Sequence, residues 1–382
     1  MKKRTLRILL YTIMLSCILC SCGERQNIPT SENTSFSAEK ILENMTLSEK
    51  IYQMIFTTPE DITGVGCVTS AGDATKEALT KYPVGGLIYF SYNLKDREQV
   101  VSMLQNTKSY SKIPLFLGID EEGGDVSRAG SNPDLKITKH PPMKDIGASG
   151  DTTLAYNTGK TLATELKDLG FNVDFAPVAD VLVNKNNTEI GNRSFGDDPY
   201  LVASMVENTV RGFEENGLSS ALKHFPGHAS TEKNSHFGYS ESKRSEDELR
   251  ACEFIPFQAG IKAGCDFVMI SHMTLLNTDS APASMSYKVI TEMLKEELGF
   301  SGIVITDSFK MGAVTDTRFS NNPEVSSILA GADMILMPKD ITSAHDSIKN
   351  AVNSGKITEA RIDESVLKII KTKYESGLFK NE

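Results

Sequence analysis

The chain has 382 residues, of which 40% are hydrophobic and 24% are charged, and these globular values exclude a disordered chain and a polytopic membrane protein. This length allows two average domains or one large α/β barrel. The net charge of −10 argues against a nucleic-acid partner, because phosphate contacts require a basic face. Trp is absent, so a ligand cannot be bound by stacking on indole rings.

Residues 1–21 have the pattern of a secretion signal. Four basic residues precede an apolar run over 8–19, which is too short to span a bilayer comfortably. The sequence LCSC over 19–22 resembles a bacterial lipobox, which makes Cys22 the lipidated residue and predicts an extracytoplasmic lipoprotein with a lipid anchor in the cell membrane. The alternative is an ordinary secretion signal cleaved near Ser21. Loss of residues 1–21 would change the net charge from −10 to −14.

The polar stretch 22–36 shows no periodicity and is predicted to be a flexible tether, which leaves 37–382 for the folded domain. Cys67, Cys252 and Cys265 are widely spaced and form no CxxC pair. An odd number of isolated cysteines argues against a zinc site and a disulfide framework. We expect buried free thiols, with at most one bridge.

Short apolar runs recur along the chain with helical patterns between them. Apolar spacing predicts a helix over 37–54 and another over 152–169 that ends at Gly170. The predicted strands lie at 54–56, 86–90, 115–120, 173–178, 220–225, 267–271, 303–306 and 334–337. Eight alternating units predict an α/β fold, a single (β/α)8 TIM-type barrel. The alternative is an open doubly wound sheet, although no GxGxxG or Walker motif follows any run.

Several of these strands end in polar or ionisable residues that packing does not require. The residues are Asp120, Asp180, Lys223 with His224, His272 and Asp307. Active-site groups of a barrel lie where the strands run into the following loops. The strand ends therefore predict a polar pocket at one mouth of the barrel.

Six motifs together resemble glycoside hydrolase family 3, in its single-domain β-N-acetylglucosaminidase branch. They are MTLSEKIYQM at 45–54, GIDEEGG at 118–124, DFAPVAD at 174–180, GNRSFGDDP at 191–199, KHFPGH at 223–228 and ITDSFKMG at 305–312. Any one of them is weak, but their order and their places at strand ends cover nearly all of 40–376. The resemblance implies the same barrel fold and an exo-acting glycosidase.

The resemblance implies that Asp307 is the catalytic nucleophile of a retaining mechanism, which forms a covalent glycosyl-enzyme. The alternative for Asp307 is a helix N-cap. The implied sugar-binding residues are Asp120, Arg128, Arg193, Lys223 and His224. Arg and Lys only donate hydrogen bonds and Asp only accepts them, so together they can read the orientation of each sugar hydroxyl. The alternative for Arg128 and Arg193 is a salt bridge that organises the loops.

The sequence departs from the family pattern at two places. Asp125 stands where many members have Arg, which puts contacts at the pocket rim in doubt. The branch uses a loop His as general acid and base, with an Asp two residues before it. Here the triplet is Asn234-Ser235-His236, so we expect His236 in that role with an uncharged partner, unless Glu232 supplies the charge. We expect no second domain to provide a carboxylate, and a structural role for His228 at the root of the loop.

The leading hypothesis is a retaining exo-β-N-acetylhexosaminidase that removes terminal non-reducing GlcNAc from peptidoglycan or related glycans. The mechanism requires no metal and no cofactor, and the sequence shows no HExxH motif. Another family 3 exo-β-glycosidase, such as a β-glucosidase or xylosidase, or a β-N-acetylglucosaminide phosphorylase, is the alternative. A lipoprotein that binds muropeptides without cleaving them is favoured by Asn234 and disfavoured by Asp307, because binding alone needs no nucleophile.

Overall fold

Eight short parallel strands are arranged side by side around one axis in the computed structural model, which describes residues 37–231, 240–312 and 320–379. Nearly every strand residue is buried on both faces of the sheet, as parallel strands covered by helices require. The strands are β1 (Ile55–Thr57), β2 (Gly86–Ile88), β3 (Phe116–Ile119), β4 (Val173–Asp174), β5 (Ser219–Phe225), β6 (Phe267–Ile270), β7 (Ile303–Thr306) and β8 (Ile335–Leu336).

The sheet order is β7-β6-β5-β4-β3-β2-β1-β8, so each strand lies beside its neighbours in the chain. Phe56 of β1 pairs with Gly86 of β2 and with Leu336 of β8. A parallel bridge between Ile305 and Met334 brings β7 next to β8 and closes the circle. The predicted (β/α)8 barrel is therefore confirmed, and the open doubly wound sheet is excluded.

Helices surround the barrel and connect its strands. They are α1 (Ala38–Glu43), α2 (Leu47–Gln53), α3 (Pro59–Thr63), α4 (Asp73–Lys81), α5 (Arg97–Tyr110), α6 (Met143–Ser149), α7 (Thr152–Leu169), α8 (Pro199–Glu214), α9 (Glu246–Ala251), α10 (Phe254–Lys262), α11 (Pro323–Ala330), α12 (Ile341–Asn353) and α13 (Glu359–Glu375). A further segment, Lys288–Glu297, has π-helical hydrogen bonding.

Two predicted helices had different outcomes. The helix over 152–169 is confirmed as α7: Asp151 caps its first turn, and Gly170 ends it with a φ of 109°. The single helix predicted over 37–54 is wrong, because the chain breaks into α1 and α2. The hydroxyl of Thr46 accepts the backbone N–H of Glu49, and the Glu49 carboxylate accepts the N–H of Thr46. This capping box starts a new helix where the apolar spacing alone indicated continuity.

Buried aromatic rings from several strands pack against one another inside the barrel. The ring of Phe56 packs edge-on against Phe175 with centroids 5.2 Å apart, and Phe116 packs against Phe267 at 5.1 Å. Gly86 makes room for the Phe56 ring, because a Cβ there would lie 2.6 Å from it. The interior is thus a packed core, and space for a ligand is left at the ends of the strands.

The structure also shows the state of the cysteines and whether any described helix could span a membrane. Cys67, Cys252 and Cys265 are all free thiols, as expected, but of the three only Cys265 is buried, whereas Cys252 is partly exposed and Cys67 is exposed. Among the described residues, no helix is both long enough and apolar enough to cross a membrane. The predicted signal over 1–21, Cys22 and the predicted tether over 22–36 lie outside the described residues.

Candidate active site

A cavity of about 320 Å³ opens at the carboxyl ends of the strands. It brings together the predicted nucleophile and all the predicted sugar-binding residues, Asp307, Asp120, Arg128, Arg193, Lys223 and His224. Larger cavities of about 600 and 570 Å³ lie at the opposite end of the barrel, around Asp266 and Glu375. We place the site at the mouth because ionisable groups from several strands converge there, and because small-molecule sites of barrels lie at this end.

The loop after β3 delivers two carboxylates to this cavity. Asp120 follows the last residue of β3, and Glu122 lies on a two-stranded hairpin in which Glu121–Gly123 pairs with Val126–Ser127. Gly123 and Gly124, with φ of 83° and 58°, make the tight turn, since L-residues rarely adopt that conformation. Asp125 lies exposed at the tip of the hairpin, away from the buried carboxylates.

Glu122 and Lys223 form the centre of a buried charge network. Glu122 accepts two hydrogen bonds from Arg193, at 2.8 and 2.9 Å, and its Oε1 lies 2.6 Å from Lys223 Nζ. Lys223 also donates to Asp120 Oδ1 at 2.8 Å. Arg128 lies 3.8 Å from Asp120 Oδ2 and over the ring of Phe90. Arg128 and Arg193 thus form salt bridges, which was the alternative interpretation of these residues, and both also line the cavity.

Burial and charge act in opposite directions on the pKa values of this network. Burial alone would raise the pKa of Glu122, but the charges of Arg193 and Lys223 outweigh it and hold that pKa well below its usual range. Burial would lower the pKa of Lys223, but Asp120 and Glu122 raise it above its ordinary value. Glu122 and Lys223 therefore both remain charged near neutral pH and present a fixed acceptor and a fixed donor.

His224 is orientated by a buried carboxylate. Its Nδ1 lies 2.8 Å from Asp180 Oδ2, and its Nε2 lies 3.4 Å from Arg193. Because Arg only donates, Nε2 accepts and Nδ1 carries the proton. Asp180 also accepts the backbone N–H of His228, whose ring Nε2 lies 3.2 Å from Glu189. His228 is buried at the root of the following loop, the position expected for a structural role.

Asp307 follows the last residue of β7 and faces the cavity. Its backbone N–H donates to Ile270 O at 2.8 Å, and its Oδ1 accepts the N–H of Ser308 at 2.7 Å. Residues 308–311 are not helical. Among the described residues, helical bonding returns only at Gly312, five positions after Asp307, so Asp307 is not the N-cap of a helix there. The side chain of Asp307 lines the cavity together with Asp120, Lys223 and His224.

His272, at the end of β6, holds the chain beside the nucleophile. Its Nε2 lies 3.1 Å from the carbonyl of Ser308, and its Nδ1 lies 2.8 Å from Ser284 Oγ. A carbonyl only accepts, so Nε2 carries the proton and Nδ1 accepts from the hydroxyl. Burial lowers the pKa of His272, which keeps the ring neutral.

The sequence analysis missed the roles of three residues. Glu122 lies inside a quoted motif, and its place two residues after Asp120 was the available signal. Asp180 and His272 were identified as strand ends but were given no role. The loop residues His236, Asn234 and Glu232 lie outside the described residues. Among the residues that are described, no three His, Cys, Asp or Glu side chains are grouped to hold a metal ion.

A barrel whose mouth holds carboxylates beside arginine and lysine donors can bind a polyhydroxylated ligand, because these groups supply both donors and acceptors for hydroxyls. Residues 46–372 match the family described as the glycosyl hydrolase family 3 N terminal domain. The chain belongs to glycoside hydrolase family 3, which confirms the family resemblance and the fold.

Proteins that are similar to this chain are named as beta-hexosaminidases or as a beta-N-acetylglucosaminidase. It is 32% identical over 337 residues to Beta-hexosaminidase A of Pseudoalteromonas piscicida, covering 80% of this chain and 56% of the relative. It is 34% identical over 260 residues to Beta-hexosaminidase of Stenotrophomonas maltophilia, covering 66% and 76%. A solved family 3 beta-N-acetylglucosaminidase from a Paenibacillus strain superimposes with a TM-score of 0.81 at 33% identity, over 87% of this chain and 63% of that one. The chain thus spans less than two thirds of the length of two of these proteins.

Proposed function

We propose that this protein is a retaining exo-β-N-acetylhexosaminidase that removes terminal non-reducing β-linked N-acetylglucosamine from peptidoglycan or related glycans. The observation that carries the proposal is the single cavity in which Asp307 faces the Glu122–Lys223 charge network. The names of the relatives support the choice of an N-acetylated sugar.

The charge network supports binding of one terminal sugar. Lys223 and Arg193 offer N–H donors from one side, and Asp120 offers an acceptor whose side chain is 17% exposed. Their mutual salt bridges fix their positions before the sugar arrives, so little conformational entropy is lost on binding. A cavity of about 320 Å³ is at the small end of the range for ligand sites, which suits one sugar ring.

In the proposed reaction, the Asp307 carboxylate attacks the anomeric carbon and the bond to the leaving group breaks. His236 donates a proton to the leaving oxygen. Water then attacks the glycosyl ester of Asp307 while the same imidazole takes up a proton, which restores both residues. Two displacements at one carbon return the original β configuration.

The first test removes the attacking charge. Asp307→Asn should lower kcat on an aryl β-N-acetylglucosaminide by about 10⁴-fold or more while sugar affinity and thermal stability stay close to wild type. A 2-fluoro glycosyl donor should label wild-type protein at Asp307, and peptide mass spectrometry locates the label. Labelling of another carboxylate, or full activity of the variant, would refute the assignment.

A second test addresses the reaction and the sugar. Wild-type protein should cleave the aryl β-N-acetylglucosaminide faster than the aryl β-glucoside, and added phosphate should leave the product as free sugar. Faster cleavage of the β-glucoside would indicate another exo-glycosidase activity. Formation of a sugar phosphate would indicate a phosphorylase. Binding of the glycan without cleavage would leave the muropeptide-binding lipoprotein as the function.

We also propose that Cys22 carries a lipid that anchors the enzyme to the extracytoplasmic face of the cell membrane. The lipobox-like sequence over 19–22 supports this proposal. Cys22→Ala should move the protein from the membrane fraction to the soluble fraction, because the acyl chains supply the anchor. The activity of the purified domain from about residue 37 should match that of the full chain. A variant that stays in the membrane fraction would contradict the proposed anchor.

A further inference from the structure

We propose that Asp174 is a positioning residue that acts as a neutral carboxylic acid next to the sugar-binding residues. It fixes the peptide between Asp120 and Glu121 and adds no further negative charge beside Lys223. The part of the inference that concerns activity rests on the proposed function, whereas the charge of Asp174 can be measured without a substrate.

Asp174 is the last residue of β4 and is fully buried. In the sheet it pairs with Ile119, the last residue of β3, and with Ser220 of β5. Its Oδ1 accepts the backbone N–H of Glu121 at 2.9 Å. This N–H belongs to the peptide that joins Asp120 to Glu121, so Asp174 holds the chain at the point where it leaves β3 and begins to line the cavity.

Glu121 extends this contact to the second strand of the hairpin. Its carboxyl group accepts the hydroxyl of Ser127 and, at 2.6 Å, the backbone N–H of Ala129. Glu121 is itself fully buried, whereas the residues on either side of it contact Lys223. Asp174 and Glu121 together therefore support both strands of the hairpin that delivers the sugar-binding carboxylates.

The second carboxyl oxygen of Asp174 indicates that the group is neutral. Oδ2 is buried and has no hydrogen-bond partner among the residues that the structure describes. A charged oxygen without a donor is far more costly to bury than a neutral one. Burial, with the nearby charges of Glu121 and Asp120, raises the pKa of Asp174 well above its ordinary value of 3.8, although the Glu121 N–H and the charge of Lys223 act in the opposite direction.

A neutral Asp174 leaves Lys223 with a donor for the ligand. The ammonium group of Lys223 already contacts Asp120 Oδ1 at 2.8 Å and Glu122 Oε1 at 2.6 Å. A third negative charge nearby would compete for the same group, which has only three N–H donors. Because Asp174 keeps its proton, the third donor of Lys223 can bind a sugar hydroxyl.

The charge of Asp174 is tested first, with wild type and Asp174→Asn. Their infrared difference spectrum near neutral pH should contain the C=O band of a carboxylic acid. Stability gives a second measure. Above the ordinary pKa of Asp174, the folded wild type holds a proton that the unfolded chain releases, so its unfolding constant rises by up to about tenfold per pH unit. Urea unfolding should therefore show Asp174→Asn gaining stability relative to wild type between about pH 5 and about pH 7.

The positioning role is tested with kcat/KM on the aryl β-N-acetylglucosaminide. Asp174→Asn keeps a neutral side chain whose oxygen can accept the Glu121 N–H, so kcat/KM should stay within about threefold of wild type. Asp174→Leu has a similar size but no acceptor, and it should lower kcat/KM by about 30-fold in folded protein. Circular dichroism checks the fold, and recovery of activity in the Asn variant separates positioning from general damage.

Asp333→Asn is the matched control, because Asp333 is also fully buried but lies among cations. Burial would raise the pKa of Asp333, but cations that include Lys368 at 2.9 Å hold it below its ordinary value. This variant should show no loss of a carboxylic-acid band. It should be less stable than wild type by the same amount at both pH values, because Asp333 is ionised throughout this range.

An Asp174→Asn variant that behaves like Asp333→Asn would show that Asp174 is ionised and would overturn the proposal. An Asp174→Leu variant that folds and keeps full kcat/KM would also overturn it, as would an Asp174→Asn variant as impaired as Asp174→Leu. Failure of the proposed function would show separately, as wild-type protein that does not cleave the glycoside although the infrared and stability results hold.

Discussion

Glu122 at the mouth of the barrel and Asp333 at its base are buried carboxylates that several cations surround. Arg193 and Lys223 contact Glu122, whereas Lys368 contacts Asp333 at 2.9 Å and Lys295 and Arg361 lie 3.7 and 3.6 Å away. For both carboxylates, burial alone would raise the pKa and the cations bring it below its ordinary value.

The two clusters differ in whether their charged groups line a cavity. Asp333 also accepts the backbone N–H of Val304 at 3.0 Å and the hydroxyl of Ser365 at 2.7 Å, so its charge joins β7 to α13. The cations around Glu122 instead line a cavity, and Lys223 is shared with the partly exposed Asp120. The same ionic chemistry thus stabilises the fold at one end of the barrel and lines a cavity with charged groups at the other end.

Of the variants in these two clusters, the one at the mouth should have the largest effect on activity. Glu122→Gln should lower kcat/KM on the N-acetylglucosaminide by about 100-fold, because it removes the charge that holds Arg193 and Lys223 in position. Steady-state kinetics measure kcat/KM, and circular dichroism checks that the variant is folded. Unchanged kcat/KM would show that the network is as purely structural as the one at the base.

Asp333→Asn is the matched change at the base. It should lower the free energy of unfolding by about 3 kcal/mol, because three cations then lose their common counter-charge. We expect the lower end of the usual range, since each cation is partly exposed. Urea unfolding measures the stability, and kcat/KM per folded molecule should stay at the wild-type value. A large loss of kcat/KM in the folded variant would break the distinction between the two ends.

A third prediction uses Lys373, which is buried at the base with its Nζ 2.8 Å from Gln53 Oε1. Burial lowers the pKa of Lys373 to about 7 from an ordinary value of 10.5. Between these values the unfolded chain binds more protons than the folded one, so this group makes the free energy of unfolding rise with pH. The slope is at most about 1.4 kcal/mol per pH unit.

Lys373→Met should remove this slope. Urea unfolding at about pH 7.5 and about pH 9.5 should show wild type gaining stability relative to the variant as the pH rises. The activity of both proteins on the aryl glycoside serves as a control for folding. An equal stability difference at both pH values would mean that Lys373 keeps its proton when buried.

The smallest effect is expected from Asn234, beside the proposed acid and base. A charged partner raises the basicity of a histidine and fixes its tautomer, and Asn can only do the latter. Asn234→Asp should raise the rate on β-linked disaccharides by about tenfold and have less effect on activated aryl glycosides, which need little protonation.

Two further variants serve as controls for this prediction. Glu232→Gln should lower the disaccharide rate if Glu232 supplies the missing charge, and His236→Ala should be inactive on disaccharides. If Asn234→Asp and Glu232→Gln match wild type while His236→Ala is inactive, the argument about charge is wrong. Full activity of His236→Ala would place the acid outside this loop.

The sequence by itself predicted the eight strands and α7. Each depends on a local signal, such as an apolar run in a fully buried strand or the Gly170 that ends a helix. The sequence also predicted that Asp120, Lys223 and Asp307 would meet, because parallel strands end at the same mouth. The motifs that identified the family are likewise short, contiguous stretches of sequence.

Which charged side chains pair with one another depends on the tertiary structure. Glu122 and Arg193 are 71 residues apart and meet because the barrel closes. Closure also buries Lys373 and leaves Cys67 exposed, although no local pattern distinguishes either residue from others of its type. Local periodicity determines the elements, whereas the partner of a side chain depends on distances set by the whole fold.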